Sequence, residues 1–213
     1  FECYANCIGK TMRRAEFEIN DKALAEELFA TCEHGTLCLV DEDEPYAVPL
    51  NYVWHDETIC FHGSQEGRKM EVIAKNPKAS FSVVKPLSVL PSYFSNTRSA
   101  CPASQLYMSV HLVGRIEIVD DVAKKADVLN ALMQKLQPEG GYEPLEASHP
   151  MYKKALENIG ICRLLPTSLS CKLKAGQNLN EERKALLIEK LSERGTPLDL
   201  LSVRWIQQMS KSV

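Results

Sequence analysis

Six strand-like runs with helices around them predict a mainly β protein, a small antiparallel barrel with helical additions. Three observations carry that reading. Short polar turns separate β-rich runs between residues 36 and 62, the pattern of an antiparallel meander. Amphipathic helical periodicity recurs between and after the strands. The 213 residues are 45% hydrophobic and 25% charged, which excludes a disordered or low-complexity chain and suits one domain with an appendage.

In chain order, residues 1–11 look foreign to the rest of the sequence. Met12-Arg13-Arg14 would make a natural start, so 1–11 reads as a leader, an alternative start or a vector-derived remnant. Asn20 can cap a helix from Asp21 to about Thr31, with Leu24, Leu28 and Phe29 on one face, and Gly35 closes that stretch. The strands Thr36–Val40, Tyr46–Trp54 and Thr58–His62 come next, joined by Asp41–Glu44 and His55-Asp56-Glu57. Ser64–Lys75 reads as a helix with Met70, Ile73 and Ala74 inward, stopped by Asn76-Pro77. Ala79–Val84 is the fourth strand. Residues 85–105, with three prolines and five serines, read as a long connection, either functional or a surface excursion.

Tyr107–Val119 is a long strand in which Gly114 marks a bulge or close approach. Val122–Leu136 is an amphipathic helix, and His149–Asn158 a shorter one after a Gly/Pro turn. Ile161–Lys172 is the sixth strand, on an edge or bulged because of Pro166. Asn180 caps Glu181–Glu193, Gly195 ends it, and Pro197 opens a final helix to about Met209. The expected organisation is a β domain over 12–175 and a helical extension over 176–213.

The net charge of −3 and pI near 6.0 exclude a basic nucleic-acid-coating protein. No run of about 18 apolar residues is present, so no membrane-spanning helix is expected. The N-terminus lacks a secretory signal pattern. None of the eight cysteines forms a C-x-x-C pair, and several lie in apolar runs such as Leu37-Cys38-Leu39. That pattern predicts reduced thiols in a cytoplasmic protein with no metal site.

The segment richest in chemistry is Phe61-His62-Gly63-Ser64-Gln65-Glu66-Gly67-Arg68-Lys69. A strand ends, a small polar residue opens a helix, and two cations come after it. Free N–H groups at a helix start attract anions, and arginine adds a bidentate fork. The segment is either a phosphate site or a solvated basic helix start. Within Val48-Pro49-Leu50-Asn51-Tyr52, the proline removes a ladder donor, leaving either an edge strand or a backbone face for a flat heterocycle.

Taken together, Gly35–Asp41, Tyr46–Tyr52, Phe61-His62-Gly63 and Glu66-Gly67-Arg68-Lys69 resemble the pyridoxamine 5'-phosphate oxidase-like FMN-binding split barrels, in particular the branch of nitroimidazole-resistance proteins. The resemblance continues through Asn76–Phe81, Ala100-Cys101, Tyr107-x-Ser109-Val110, Gly114 and Lys172–Asn178. It implies a six-stranded split barrel that dimerises with FMN at the subunit interface. Arg68 and Lys69 would hold the FMN phosphate, helped by Gly63, Ser64 and the Gly67 backbone. Val48, Pro49, Leu50, Asn51 and Tyr52 would line the isoalloxazine. His62 would sit at the flavin or substrate pocket as the catalytic residue, against the alternative of a strand-end histidine bonded to backbone. Tyr107 and Ser109 would contribute from the partner chain, although Met108 stands where many relatives have a basic residue.

The implied activity is an oxidoreductase passing NAD(P)H-derived electrons to small aromatic substrates such as nitroaromatics. The alternatives are a non-catalytic flavin-binding or regulatory protein, or a heme-binding split barrel. The C-terminal arginine–histidine motif of true pyridoxamine phosphate oxidases is missing, which argues against vitamin B6 oxidation.

Overall fold

Alternating burial sets the strands. In His34–Asp41 the side chains of Leu37 and Leu39 point inward and those of Thr36, Cys38 and Val40 outward. The computed structural model describes residues 12–210. The expectation for 1–11 therefore lies outside the described residues.

The elements are β1 (Glu18–Ile19), α1 (Lys22–Thr31), β2 (His34–Asp41), β3 (Glu44–Asn51), β4 (Val53–His55), β5 (Thr58–Ser64), α2 (Arg68–Lys75), β6 (Lys78–Leu90), β7 (Ser104–Val119), α3 (Val122–Leu136), α4 (Lys153–Asn158), β8 (Ile159–Lys174), α5 (Glu181–Arg194) and α6 (Pro197–Ser210). Hydrogen bonds link the strands in the order β3-β2-β6-β7-β8-β5-β4, with β1 alongside β8. This is a mainly antiparallel sheet with helices, as expected, but with eight strands instead of six. The expected Tyr46–Trp54 strand is two strands, because Tyr52 leaves the ladder and turns its ring into the core. The other addition, β1, is two residues long, too short to show a period.

The expected loop over 85–105 is also corrected. β6 runs on to Leu90, and only 91–103 remains irregular, with a 3-10 turn at Ser92–Ser95. Pro86 is tolerated because β2 pairs with β6 only through Ser80–Ser82, so no ladder bond to β2 is lost. Pro166 obeys the same rule, since β5 pairs with β8 no further than Leu164.

Contacts divide the described chain into two units. The first contains 22–83 and 111–169, the second 12–21, 84–110 and 170–210. In the first, Leu28, Phe29, Leu37, Tyr52, Ile59, Phe61 and Phe81 are buried. Each such side chain contributes about 1.5–3 kcal/mol on leaving water. The Tyr52 ring packs edge-on to Phe81 at 4.9 Å, and Phe29 stacks on Trp54 at 4.8 Å. Gly114 is the close approach expected of it: a Cβ there would lie 2.0 Å from the Leu165 carbonyl oxygen. The thiols of Cys60, Cys162 and Cys171 are buried, and burial pushes the latter two up to about 11. No helix among the described residues is long and apolar enough to cross a membrane.

Lys135 of α3 ties this core together. Its ammonium donates to the carbonyls of Phe29 (2.8 Å), Cys32 (2.8 Å) and Tyr52 (3.0 Å), and lies 3.7 Å from the Tyr52 ring centroid. Phe29 and Cys32 stand at the end of α1, where carbonyls lack intrahelical donors. Lys135→Met should lower stability by about 2 kcal/mol by orphaning these oxygens, read as a lower urea midpoint. Burial lowers the lysine to about 8 from 10.5. The unfolded lysine keeps its proton to higher pH than the folded one, so this group makes stability rise with pH between about 8 and 10.5. The variant should flatten that rise; an unchanged midpoint and slope would exclude the role.

In the second unit, Asn180 caps α5 by accepting from the Arg183 N–H at 3.0 Å, and Gly195 ends it at φ +66°. The buried Asp199 of α6 accepts from Arg194 (2.5 and 2.8 Å) and from the Ser88 hydroxyl of β6 (2.6 Å). Arg194 holds that carboxyl well below the usual carboxylate range.

Candidate functional site

The site begins where β5 gives way to α2. The helix starts at Arg68, four residues later than the expected Ser64, because β5 keeps its pairing with β8 as far as Ser64 opposite Ile159. The intervening turn is fastened at both ends. The Gln65 amide donates to the carbonyls of Glu157 (2.9 Å) and Ile159 (3.1 Å), and the Ser64 hydroxyl accepts from the Glu66 N–H at 3.0 Å. Gly67 is the residue before the helix, at φ +99°, so it carries none of the cost of a glycine inside a helix. A Cβ there would meet nothing within 4 Å, so glycine is needed for its backbone angle.

The two cations take different positions. The Arg68 Nε donates to the Asp41 carboxylate at 2.8 Å, and its guanidinium lies 4.3 Å over the Tyr46 ring. Arg68 thereby joins the helix start to β2 and β3. Lys69 folds back over β5, 5.3 Å from the Phe61 ring centroid, with no carboxylate partner among the described residues. A Cβ on Gly63 would stand 2.8 Å from its Nζ, so the glycine makes room for the lysine. His62 lies on the exposed side of β5. Partial burial and the Lys69 ammonium both lower its pKa from the ordinary histidine value, which favours the neutral ring.

β3 ends the hydrogen-bonded order of strands, so Pro49 lies in an edge strand, opposite Thr36. Val48, Leu50 and Asn51 are half-buried along it, and the Asn51 amide donates to the Glu33 carbonyl at 3.1 Å. Tyr52 does not share this edge. Its side chain has no solvent exposure, and its hydroxyl is buried with no hydrogen-bond partner.

Tyr107 and Ser109 belong to the second unit, half-buried on β7. Met108 between them is core, 1% exposed. The cation beside Tyr107 comes from β8, where the Lys172 ammonium is 5.1 Å from the ring centroid. Sequence reasoning missed Asp41, the stacking role of Tyr46, and Lys172; only the alternation of Lys172 and Lys174 along β8 hinted at a basic face. No group of three or more His, Cys, Asp or Glu among the described residues is arranged to hold a metal.

The pyridoxamine 5'-phosphate oxidase family profile matches residues 21–173. Solved structures sharing the split-barrel fold include the flavocytochrome Anf3 from Azotobacter vinelandii, at 23% identity and TM-score 0.66, over 82% of this chain and 78% of that one. An FAD and heme binding protein from Mycobacterium smegmatis is similar at 26% identity and TM-score 0.64, over 79% and 78%. A candidate 5-nitroimidazole antibiotic resistance protein from Bacteroides thetaiotaomicron is similar at 20% identity and TM-score 0.58, over 73% and 85%. No curated protein matches the chain.

Proposed function

We propose, from the premise that this chain belongs to the pyridoxamine 5'-phosphate oxidase family, that it is an FMN-binding flavoprotein that reduces small aromatic compounds with NAD(P)H-derived electrons. The observation that carries the reading is the Lys69 ammonium, held over a glycine and unpaired with any carboxylate among the described residues, beside Arg68 at the start of α2. This donor set suits a phosphate. The Arg68 Nε is committed to Asp41, which aims the guanidinium and leaves its terminal nitrogens for an anion. The similarity to a protein that binds FAD and heme also favours a flavin.

The chain's own residues divide the work. Lys69 and Arg68 neutralise the phosphate, with the Gly67 backbone at the helix start. The Val48–Asn51 edge offers backbone groups beside Pro49 to a flat ring. His62 takes up a proton from solvent on a ring nitrogen and delivers it to the substrate, because the reduction consumes protons. Bound flavin supplies the electron transfer.

The chain is proposed to act as a cytoplasmic homodimer in which Tyr107 and Ser109 reach the partner's flavin. The absorption spectrum of purified protein tests the cofactor, flavin bands supporting the reading and a heme Soret band alone overturning it. Anaerobic NAD(P)H, with and without a nitroimidazole, then separates an enzyme from a binder. Light scattering should give about twice the chain mass of 23.9 kDa. A single-chain mass at full flavin occupancy would refute the shared site.

A further inference from the structure

The second unit contains a cavity of about 470 Å³, a volume within the range of small-molecule sites. Its wall is apolar, with Leu90 and Phe94 at and after the end of β6, Leu106 on β7, and Leu179 and Leu187 from the C-terminal segment. Lys174 and Arg183 also line it, and no carboxylate does. A neighbouring cavity of about 370 Å³ shares Ser104, Lys174 and Asn178 with the first. It adds Arg13, Arg14 and Lys172, again with no carboxylate. Five cations thus surround two adjoining spaces in a chain whose net charge is −3.

Three of these cations are held in place by groups that leave their charge uncompensated. The Lys174 ammonium donates to the Ser104 hydroxyl. Lys172 lies 5.8 Å from the Phe17 ring centroid and Arg14 5.7 Å from it. None of the five forms an ion pair among the described residues. Clustered like charges repel one another, and an anion placed among them removes that cost. An apolar chamber beside such a cluster suits a molecule with both characters.

We propose that the two cavities form one binding site for an organic anion with an apolar tail. The head, a carboxylate or a phosphate, meets Lys174, Ser104 and Asn178 at the shared wall, and the tail lies against Leu106 and Phe94. The proposal rests on the second unit alone; Tyr107 is the one residue it shares with the flavin candidates.

Calorimetric titration of the full chain with decyl phosphate, decanoate and decanol, each below its micelle concentration, tests it. Both anions should bind at least about tenfold more tightly than the alcohol. Tighter binding of the phosphate would mean that the head reaches Lys172 and Arg14, and equal binding that it stops at Lys174. Lys174→Gln should weaken both anions about tenfold and leave decanol unchanged. Decanol binding as tightly as the anions, or no binding at all, overturns the proposal. A second measurement needs no variant. Exposed Cys101 lines the chamber, so decyl phosphate should slow its alkylation by N-ethylmaleimide, and an unchanged rate would also overturn the site.

Discussion

Arg68→Ala combined with Lys69→Ala should lower flavin affinity by about 10²–10⁴-fold and leave the protein folded. A charge-assisted contact to phosphate is typically worth roughly tenfold to a hundredfold in affinity, and two are removed. The effects should differ between the singles. Lys69 has no competing carboxylate among the described residues, so its whole charge is available to a ligand. Arg68 shares its charge with Asp41, so Arg68→Ala also leaves that carboxylate bare at the edge of the phosphate site. A phosphate would then meet one cation fewer and one anion more. Asp41→Asn separates these contributions, since it frees the arginine and removes the negative neighbour, and should strengthen flavin binding modestly. The fold should tolerate the double change because Arg68 is exposed and Lys69 only half-buried. Fluorescence titration of apoprotein with FMN reads the affinity and a thermal melt reads the fold. Undiminished affinity in a folded double variant would remove the phosphate from this helix start.

Much of the fold was legible because local chemistry and tertiary structure agree. Asp121, Asn180 and Gly195 act at the ends of α3 and α5 through bonds within a few residues, so the bounds of α3 and the start of α5 match expectation. The misses share a different cause. Tyr52 breaks its strand because a pocket between Phe29, Phe81 and Lys135 receives its ring, and those partners lie 23 to 83 residues away. β6 extends past Pro86 because a side chain supplies what the ladder does not: the Ser88 N–H donates to the Ser202 hydroxyl at 3.0 Å. No periodicity reports a partner 114 residues distant.

The candidate site divides in the same way. Gly67, Arg68 and Lys69 were visible as a run, since helix starts attract anions whatever surrounds them. The restraint on Arg68 by Asp41 and Tyr46 was not, because a hairpin more than 20 residues earlier imposes it. Nor could spacing reveal that the Tyr52 side chain lies inside the core while its neighbours in β3 line an edge.

His62→Ala should retain flavin and lose about 10²–10⁴-fold in the rate of reducing an accepted substrate, the usual contribution of a positioned acid–base group. The structure adds a direction. The proposed reduction consumes protons, so His62 would act by delivering one. Partial burial and Lys69 lower the pKa of the ring, so its protonated form is scarcer at pH 7 than that of a free histidine. Turnover that depends on the protonated form should rise as pH drops below the ordinary histidine value of about 6.5. Linkage has the opposite sign: the unfolded histidine binds its proton at higher pH than the folded one, so the group's contribution to stability declines as pH falls below about 6.5. Lys69→Met removes the nearby positive charge and should raise the His62 pKa, which NMR titration of the ring reads directly. It should also move the limb on which turnover declines with rising pH upward by the same amount. His62→Gln keeps hydrogen bonding but cannot take a proton near neutrality, so it should be as slow as His62→Ala if proton transfer is the role. Retention of full rate by both variants, with a substrate the parent reduces, would return His62 to a structural part at the end of β5. Loss of flavin from both would make it a cofactor contact instead.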